Sequence, residues 1–340
     1  MYFFEAFLAL LIILICAEIF TNGVEIFGEK LSLSQAVVGS VLAAVGTALP
    51  ETIIPLVAIL LYKGKAGAHI GVGAILGAPF MLVTAGFFLI GLAVLISFLQ
   101  KKRPFKIFLE EKTFKRDFSF FLISYSLAIF LPLIFSNTKI LHYLIAILLL
   151  INYAIYLYLT FRAESFQVEA YKDLYFEKPL KWLGLNYGKT FIVFLAFIQI
   201  VVSILIMIKG AHLFVHALEL ISLKFGFSPL IFALIVAPLA TELPEKFNSF
   251  IWTLRGKDVL AFGNMTGAMV FQSTFPVSVG LLFTDWKIEG LALISALMAL
   301  GLGSLYLLFI KFFKNLNPLL LFLSGLGYIF YILLVLFNFK

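Results

Sequence analysis

The fold is decided by a short sequence that occurs twice, as GTALPE at residues 46–51 and as ATELPE at residues 240–245. Each copy lies in a long apolar segment and places a glutamate directly after a proline. Proline has no backbone N–H and cannot donate to the carbonyl four residues earlier in a helix, so the carbonyls of Gly46 and Ala240 are left free. Each copy therefore predicts a helix break that presents carbonyl oxygens beside a carboxylate.

The two copies belong to an internal repeat. Adding 194 to a residue number in the first half gives a matching residue in the second half. The matched pairs are Ala17 and Ala211, Phe20 and Phe214, Glu25 and Glu219, Lys30 and Lys224, Ser34 and Ser228, and Thr47 and Thr241. Further along, an offset of 190 pairs Gly73 with Gly263, Gly77 with Gly267, and Ala78 with Ala268. The repeat predicts that the two halves share one fold.

The composition places this fold in lipid. Of the 340 residues, 63% are hydrophobic and 13% charged, and the mean hydropathy of +1.10 lies far above that of soluble globular domains. Apolar runs of about 20 residues, long enough to cross a hydrocarbon core of roughly 30 Å, recur along the chain. They predict ten helices near residues 3–27, 34–62, 68–99, 117–135, 138–161, 191–220, 228–254, 258–283, 289–313 and 317–338.

The helix count gives the fold class. Because five helices separate the two motif copies, the copies cross the membrane in opposite directions. The sequence therefore predicts an all-α polytopic membrane protein with ten transmembrane helices, arranged as two inverted-topology five-helix repeats. The first repeat is expected at residues 1–161 and the second at residues 191–340, with residues 162–190 forming a cytoplasmic connecting loop.

The basic residues predict the orientation of these helices. The net charge of +7 comes from lysines and arginines spread over short loops between apolar spans, so membrane topology explains it better than a nucleic-acid partner, and none is expected. With the amino terminus outside, the inner loops carry 17 basic residues and the outer side carries 6. This positive-inside bias predicts a multi-pass protein of the cell membrane with both termini outside.

The glutamates of the two motif copies are the first candidates for chemistry. An ionised carboxylate deep in a bilayer is costly and persists mainly when it is paired or serves a transport pathway. Glu51 and Glu245 occupy repeat-related positions, each four residues after a threonine, Thr47 or Thr241. Carboxylates, carbonyls and hydroxyls form a hard oxygen site that suits Ca²⁺ or Na⁺. The alternative is that both glutamates lie at interfaces or form stabilising ion pairs.

Both motif copies resemble an element of the sodium/calcium exchanger superfamily of cation/Ca²⁺ antiporters. That superfamily repeats a Gly-Thr-Ser-Leu-Pro-Glu element in its second and seventh helices and a Gly-Asn-x-x-Gly-Ser element in its third and eighth. Residues 46–51 and 240–245 match the first element, residues 263–268 match the second in part, and residues 73–78 match it weakly. The resemblance extends over nearly the whole chain.

The resemblance implies a set of cation ligands. Glu51 and Glu245 would ligate the transported cation, helped by Thr47 and Thr241. Backbone carbonyls at two further residues, Ala44 and Pro238, would line the ion path. The resemblance also implies that the first and sixth helices slide against the others as gates.

The chain departs from the superfamily pattern around this site. Apolar residues replace the small polar ligands of the third helix, Ala268 replaces a serine in the eighth, and Gln272 stands where an acid or amide is common. The apolar positions of the third helix are Ala74, Ala78 and Leu82. These changes leave fewer side-chain oxygens than a site for several Na⁺ and one Ca²⁺ is expected to have.

Two added charges lie in the seventh helix, at Glu242 and Lys246. Their spacing of four residues favours a salt bridge, and the alternative is that Lys246 substitutes for a bound monovalent cation. In either case the nominal charge of Glu51, Glu242, Glu245 and Lys246 is −2, which balances one divalent ion.

The leading interpretation is secondary active Na⁺/Ca²⁺ antiport by alternating access at a midplane site of two glutamates. One alternative is an H⁺-coupled or monovalent cation exchanger of the same fold, with His212 or His216 coupling transport to protons. The others are a non-transporting relative and, from another class, an intramembrane enzyme.

The expected substrates are Ca²⁺ and Na⁺ or H⁺, and no permanently bound cofactor is expected. The expected partners are inorganic cations and the lipid bilayer, with no obligatory protein partner. His69 and His142 are expected to be exposed near helix ends.

Overall fold

The structure, a computed structural model, describes residues 2–31, 48–62, 65–135, 138–163, 173–182 and 188–337. Regular structure in these ranges is helical, and no strand occurs in them. The all-α fold class is confirmed.

The helices follow one another in the order that the apolar runs predict. In the described part of the first half they are α1 (Tyr2–Lys30), α2 (Leu49–Leu60), α3 (Lys65–Met81), a π-helical turn (Leu82–Gly86), α4 (Phe87–Leu99), α5 (Glu111–Ile134) and α6 (Lys139–Ala163). The connecting segment contains a 3-10 turn (Tyr175–Glu177) and the short helix α7 (Lys178–Trp182). The second half contains α8 (Lys189–Phe225), α9 (Pro229–Leu254), α10 (Asp258–Gln272), α11 (Phe275–Phe283), α12 (Gly290–Phe313) and α13 (Pro318–Phe337).

Eight helical segments of the described chain are long and apolar enough to cross a membrane. Two shorter apolar stretches, Pro50–Leu60 within α2 and Pro229–Glu242 within α9, lie where the second and seventh of the ten membrane helices are predicted. The described helices therefore fit the predicted ten-helix order. The division into two repeats at residues 161 and 191 stays a prediction.

Helix α9 lacks the break that the sequence predicts. The sequence predicts an interruption at Pro244, but α9 runs from Pro229 to Leu254 without one. A membrane helix continues through a proline when neighbouring helices and small local adjustments satisfy the freed carbonyl. In the first half, the residues before position 48 lie outside the described ranges, so a break there stays a prediction.

The third and eighth membrane segments both deform at the same repeat position. The π-helical turn Leu82–Gly86 interrupts the third segment, and α10 ends at Gln272, two residues short of α11. The offset of 190 maps the start of the first interruption onto the end of α10. At each site a threonine, Thr84 or Thr274, donates its hydroxyl to the carbonyl four residues earlier. Such bonds bend helices.

Successive membrane helices run in opposite directions, so their ends lie on two opposite faces of the molecule. On one face Phe3 contacts Phe225, with ring centroids 5.9 Å apart. We call this the terminal face, because α1 begins there. On the opposite face Arg103 bonds to Asp258, and Asn22 Nδ2 donates to the carbonyl of Asp173 in the connecting segment. We call it the connecting-loop face.

Two buried apolar clusters hold the helices together. The larger one is built from α3 to α6 and α9 to α13. The smaller one lies between the antiparallel pair α1/α8 and the helices α2, α3 and α9. The pair α1/α8 therefore packs as a unit against the rest of the molecule. These are the first and sixth membrane helices, which the resemblance implies to be the gates.

Candidate cation site

A small buried cavity lies where α2, α3 and α9 meet. Its volume is about 10 Å³, which is room for roughly one water or one ion. Its lining combines two carboxylates and a hydroxyl with small apolar side chains. The lining residues are Glu51, Ile54, Pro55, Ala74, Ala78, Ala237, Pro238, Thr241 and Glu242.

Helix α9 supplies the most deeply buried polar groups of this cavity. Glu242 has no exposed surface, and Thr241 is 2% exposed. The Thr241 hydroxyl donates to the carbonyl of Ala237, 3.1 Å away, so a lone pair of its oxygen stays available to a cation. The Glu242 carboxylate also interacts electrostatically with the hydroxyl of Tyr328 on α13. A carboxylate this deeply buried needs a positive charge or a proton close by.

Helix α2 brings the second carboxylate from the other repeat. Glu51 lies in the first turn of α2 and is half-buried. The next residue, Thr52, donates both its backbone N–H and its hydroxyl to the carbonyl of Ala48, which fixes the start of this turn. One glutamate from each half of the chain therefore faces the same cavity.

Two glycines on α3 let the backbone of α9 pack closely against α3 beside the cavity. A methyl group on Gly77 would lie 2.0 Å from the carbonyl oxygen of Leu234, and one on Gly73 would lie 2.2 Å from that of Leu230. The spacing of these glycines is the small-xxx-small pattern of close helix packing in membranes. Pro238 frees the Leu234 carbonyl from its helical hydrogen bond, and Gly77 packs against it.

Lys246 follows Glu242 by one turn of α9 and is only 1% exposed. A buried ammonium next to a buried carboxylate lowers the net negative charge that a bound cation must balance. The lysine is thus part of the electrostatics of the cavity, although it is not among the residues that line it.

The structure brings some of the predicted ligands together, and others lie elsewhere or outside the described residues. Glu51, Pro238, Thr241 and Glu242 come together around the cavity. Gln272 lies outside its lining, 1% exposed, and neither atom of its amide has a hydrogen-bond partner among the described residues. The remaining predicted ligands stay predictions. Ala44 and Thr47 lie outside the described ranges, and the backbone of Glu245 is part of α9 while its side chain is not described.

Sequence reasoning missed a second buried carboxylate that holds the neighbouring helix α10. Asp117 on α5 is 1% exposed, accepts a 2.6 Å hydrogen bond from Thr266 and pairs with Arg116 at 3.0 Å. Thr266 lies inside the glycine motif of residues 263–268, so this bond fixes the motif helix. The sequence carried little signal for it, because Asp117 directly follows Lys115 and Arg116 at the start of the apolar run and reads as part of a charged loop.

The histidines are only partly where the sequence places them. His69 is exposed as expected. His142 is 1% exposed, so the expectation that it is exposed is wrong. It is covered because Lys139, one turn earlier, donates to the Thr284 carbonyl at 2.7 Å and holds the loop after α11 against the start of α6. His216 is exposed and lies 3.7 Å from Glu5.

Comparison with known proteins supplies a family. The model of the family described as "Sodium/calcium exchanger protein" matches residues 2–162 and 195–340. A curated protein described as "Putative antiporter CaxA" from Alkalimonas amylolytica is 29% identical over 140 residues. That match covers 39% of this chain and 44% of the relative, so the chain matches less than half of the relative's length.

Solved structures share the fold. The H⁺/Ca²⁺ exchanger CAX superimposes with a TM-score of 0.65 at 17% identity, over 99% of this chain and 88% of that one. The sodium-calcium exchanger NCX_Mj, soaked with Na⁺ and Sr²⁺, superimposes with a TM-score of 0.55 at 20% identity, over 98% and 99% of the two chains. At these identities the likeness establishes the fold alone.

Proposed function

The chain belongs to the sodium/calcium exchanger protein family, and from this premise we propose that it is a secondary cation antiporter with its cargo held between Glu51 and Glu242. The observation that carries the proposal is that one carboxylate from each repeat lines a single buried cavity of about 10 Å³. A site between inverted repeats is where secondary transporters bind their substrates.

The chemistry of the lining favours a hard cation. Glu51 and Glu242 offer carboxylate oxygens and Thr241 offers a hydroxyl oxygen, and the described lining contains no sulfur or imidazole ligand. Oxygen ligands suit Ca²⁺ and Na⁺. Two ions that need the same carboxylates cannot occupy them together, so binding of one requires release of the other. Exchange follows from this competition.

We favour protons as the coupling ion. The rest of the cavity lining includes Ala74, Ala78 and Ala237, which give no side-chain oxygen for several Na⁺ ions. A pair of carboxylates can instead carry protons in one half of the cycle and a divalent cation in the other, with a similar change of charge. The names of the relative CaxA, a putative antiporter, and of CAX, an H⁺/Ca²⁺ exchanger, are in line with this choice.

Na⁺ coupling is the second candidate, and the paired Leu-Pro-Glu motifs favour it. If Thr47 and Glu245 also face the site, as the resemblance implies, they add oxygens that the described lining lacks. Ca²⁺ uptake into proteoliposomes under an imposed Na⁺ gradient, and separately under an imposed pH gradient, distinguishes the two. Uptake driven by the pH gradient alone supports protons, and uptake driven by Na⁺ alone supports the second candidate.

The site itself is tested by isosteric substitution. Glu51→Gln and Glu242→Gln are each expected to reduce Ca²⁺ uptake to the level of empty liposomes, because each removes a charged ligand without changing volume. Glu111→Gln is the matched control, since Glu111 lies at the start of α5, outside the cavity lining, and pairs with Lys115 at a partly exposed site. Undiminished uptake in both site variants would overturn the proposal. Glu245→Gln, measured in parallel, tests the further predicted ligand.

A further inference from the structure

The pair α1/α8 is tied at both ends by contacts that the repeat relates to each other. On the terminal face Glu5 lies 3.7 Å from His216. On the connecting-loop face Gln199 Nε2 donates to Asn22 Oδ1 at 2.9 Å. Adding 194 to Glu5 gives Gln199, and adding it to Asn22 gives His216. The offset found in the sequence therefore maps one contact of the folded protein onto another at the opposite end of the same helix pair.

A second contact on the terminal face joins this helix pair to the rest of the molecule. The Tyr62 hydroxyl, just beyond the end of α2, donates to Glu219 on α8. The Tyr62 ring also lies 5.2 Å from the ring of His212. By the offset of 194, Glu219 corresponds to Glu25, and Tyr62 corresponds to Gly256 at the end of α9.

The corresponding contact on the connecting-loop face is not made. Glu25 is 8% exposed, and its Oε2 accepts no hydrogen bond from the described residues. Arg255 and Lys257, on either side of Gly256, are exposed. In the described part of the chain, no hydrogen bond, ion pair or ring contact joins the loop-face end of α1 to α9. The terminal face thus has a hydrogen bond between α8 and α2, whereas the described residues of the loop face provide none between α1 and α9.

We propose that Glu25 is the loop-face gate residue and that, in the opposite conformation, its carboxylate accepts hydrogen bonds from the guanidinium of Arg255. This inference rests on the proposed alternating-access function. Inverted repeats alternate by exchanging the conformations of their two halves, so the contact made by Glu219 in one state passes to Glu25 in the other. A guanidinium forms strong charge-assisted bonds to a carboxylate, and the bond gives a partner to an oxygen that has none among the described residues.

Arg255 is preferred over Lys257 because of its chemistry and its position. Its planar fork holds a carboxylate through two donors, whereas an ammonium is a single point charge. Arg255 also caps the C-terminal end of α9, and its backbone N–H donates to the carbonyls of Ile251 and Trp252, which fixes its backbone to the helix. Lys257 has the same charge two residues later and serves as the matched control.

The experiment measures distances between spin labels and does not depend on transport. In a Cys16→Ala background, labels at the exposed Glu29 and Val259 report the loop face, and labels at the exposed Leu61 and Leu223 report the terminal face. Protein in nanodiscs is measured without Ca²⁺ and with saturating Ca²⁺. The wild type is expected to show two loop-face distances, and the short one represents the closed gate.

Glu25→Gln and Arg255→Ala are each expected to lower the population of the short loop-face distance about tenfold, the effect of losing a hydrogen bond between charged groups. Lys257→Ala should leave it within about twofold, since it removes the charge without the fork. The exchange Glu25→Arg with Arg255→Glu should restore the short distance. Should the exchange variant fail to fold, Arg255→Glu alone should lower the short-distance population at least as far as Arg255→Ala.

Three results would overturn the gate: a single loop-face distance in the wild type under both conditions, unchanged populations in Glu25→Gln and Arg255→Ala, or an equal loss in Lys257→Ala. Failure of the proposed function gives a different signature. In that case Glu51→Gln and Glu242→Gln leave Ca²⁺ uptake intact, whatever the distances show.

Discussion

At the residue scale, the close contact of α3 with α9 depends on the absence of a single methyl group. We expect Gly77→Ala to destabilise the protein by about 1–3 kcal/mol, because the new methyl would lie 2.0 Å from a backbone oxygen of Leu234 and 2.9 Å from Cγ of Pro238. Backbone atoms cannot move aside as a flexible side chain can. Gly73→Ala should cause a similar loss of stability. Thermal unfolding in detergent, followed by intrinsic fluorescence, measures the effect.

Gly301→Ala is the control for this substitution. Gly301 also lies inside a membrane helix, but beyond its chain neighbours and the backbone of its own helix no described atom lies within 4 Å of its added methyl. Alanine favours the helix over glycine by roughly 0.5–1 kcal/mol, so this variant should be as stable as the wild type or slightly more stable. Equal unfolding temperatures for Gly77→Ala and Gly301→Ala would contradict the close approach.

The sequence singled out two of the residues that line the cavity, and their role as cation ligands stays a prediction. Glu51 directly follows a helix-breaking proline, has the repeat-related counterpart Glu245, and lines the cavity. Glu242 was singled out as an added charge and lies there too. His142 had only its position near a helix end as a signal, and that position does not determine burial. Burial depends on which loop folds over a helix end, and sequence patterns do not encode such distant contacts.

At the element scale, a buried ion pair fixes the loop between α4 and α5 to the start of α10. Arg103 bonds to both carboxylate oxygens of Asp258 and to the Thr253 carbonyl, and the Phe108 N–H also donates to Asp258. The side chains of Arg103 and Asp258 are 7% and 0% exposed. Removing one partner leaves a buried charge without compensation, so Arg103→Ala and Asp258→Ala should each cost about 3–5 kcal/mol.

The control for this pair is an exposed one. Lys115 and Glu111 form an ion pair one helical turn apart, with side chains 36% and 37% exposed. Their substitution by alanine should cost no more than roughly 0.5 kcal/mol, and the double variant of the buried pair should recover part of the single losses. Chemical denaturation in detergent gives the free energy of unfolding of the wild type and of each variant. Similar losses for the buried and exposed pairs would contradict a structural role for Asp258.

Helices could be predicted from the sequence where apolar runs are long, and their internal irregularities could not. The third and eighth segments read as uninterrupted apolar runs, yet one contains the π-helical turn Leu82–Gly86 and the other stops at Gln272. Each irregularity includes a threonine that bonds to its own helix, Thr84 or Thr274. Threonine is common in membrane helices, so one copy carries little information. Two copies at one repeat position are the signal that sequence reading left unused.

At the scale of the whole molecule, the sequence indicates the inverted repeat but cannot indicate which conformation is populated. Both conformations of an alternating protein have the same sequence and exchange the roles of the two halves. Only a contact made in one half and missing in the other distinguishes them. Here Tyr62 bonds to Glu219 on the terminal face, while Glu25 accepts no such bond at Oε2 from the described residues.

The orientation of the molecule in the membrane is a further prediction at this scale. The loops of the connecting-loop face carry most of the basic residues, and the translocation machinery retains such loops in the cytoplasm. In a Cys16→Ala background, a cysteine at exposed Leu223 on the terminal face should react with a membrane-impermeant maleimide on intact cells. A cysteine at exposed Val259 on the opposite face should react only after permeabilisation. The Cys16→Ala protein without an added cysteine should stay unlabelled in both cases and is the background control. Labelling of position 259 but not of position 223 on intact cells would show that the basic loops face outward and that charge does not orient this protein.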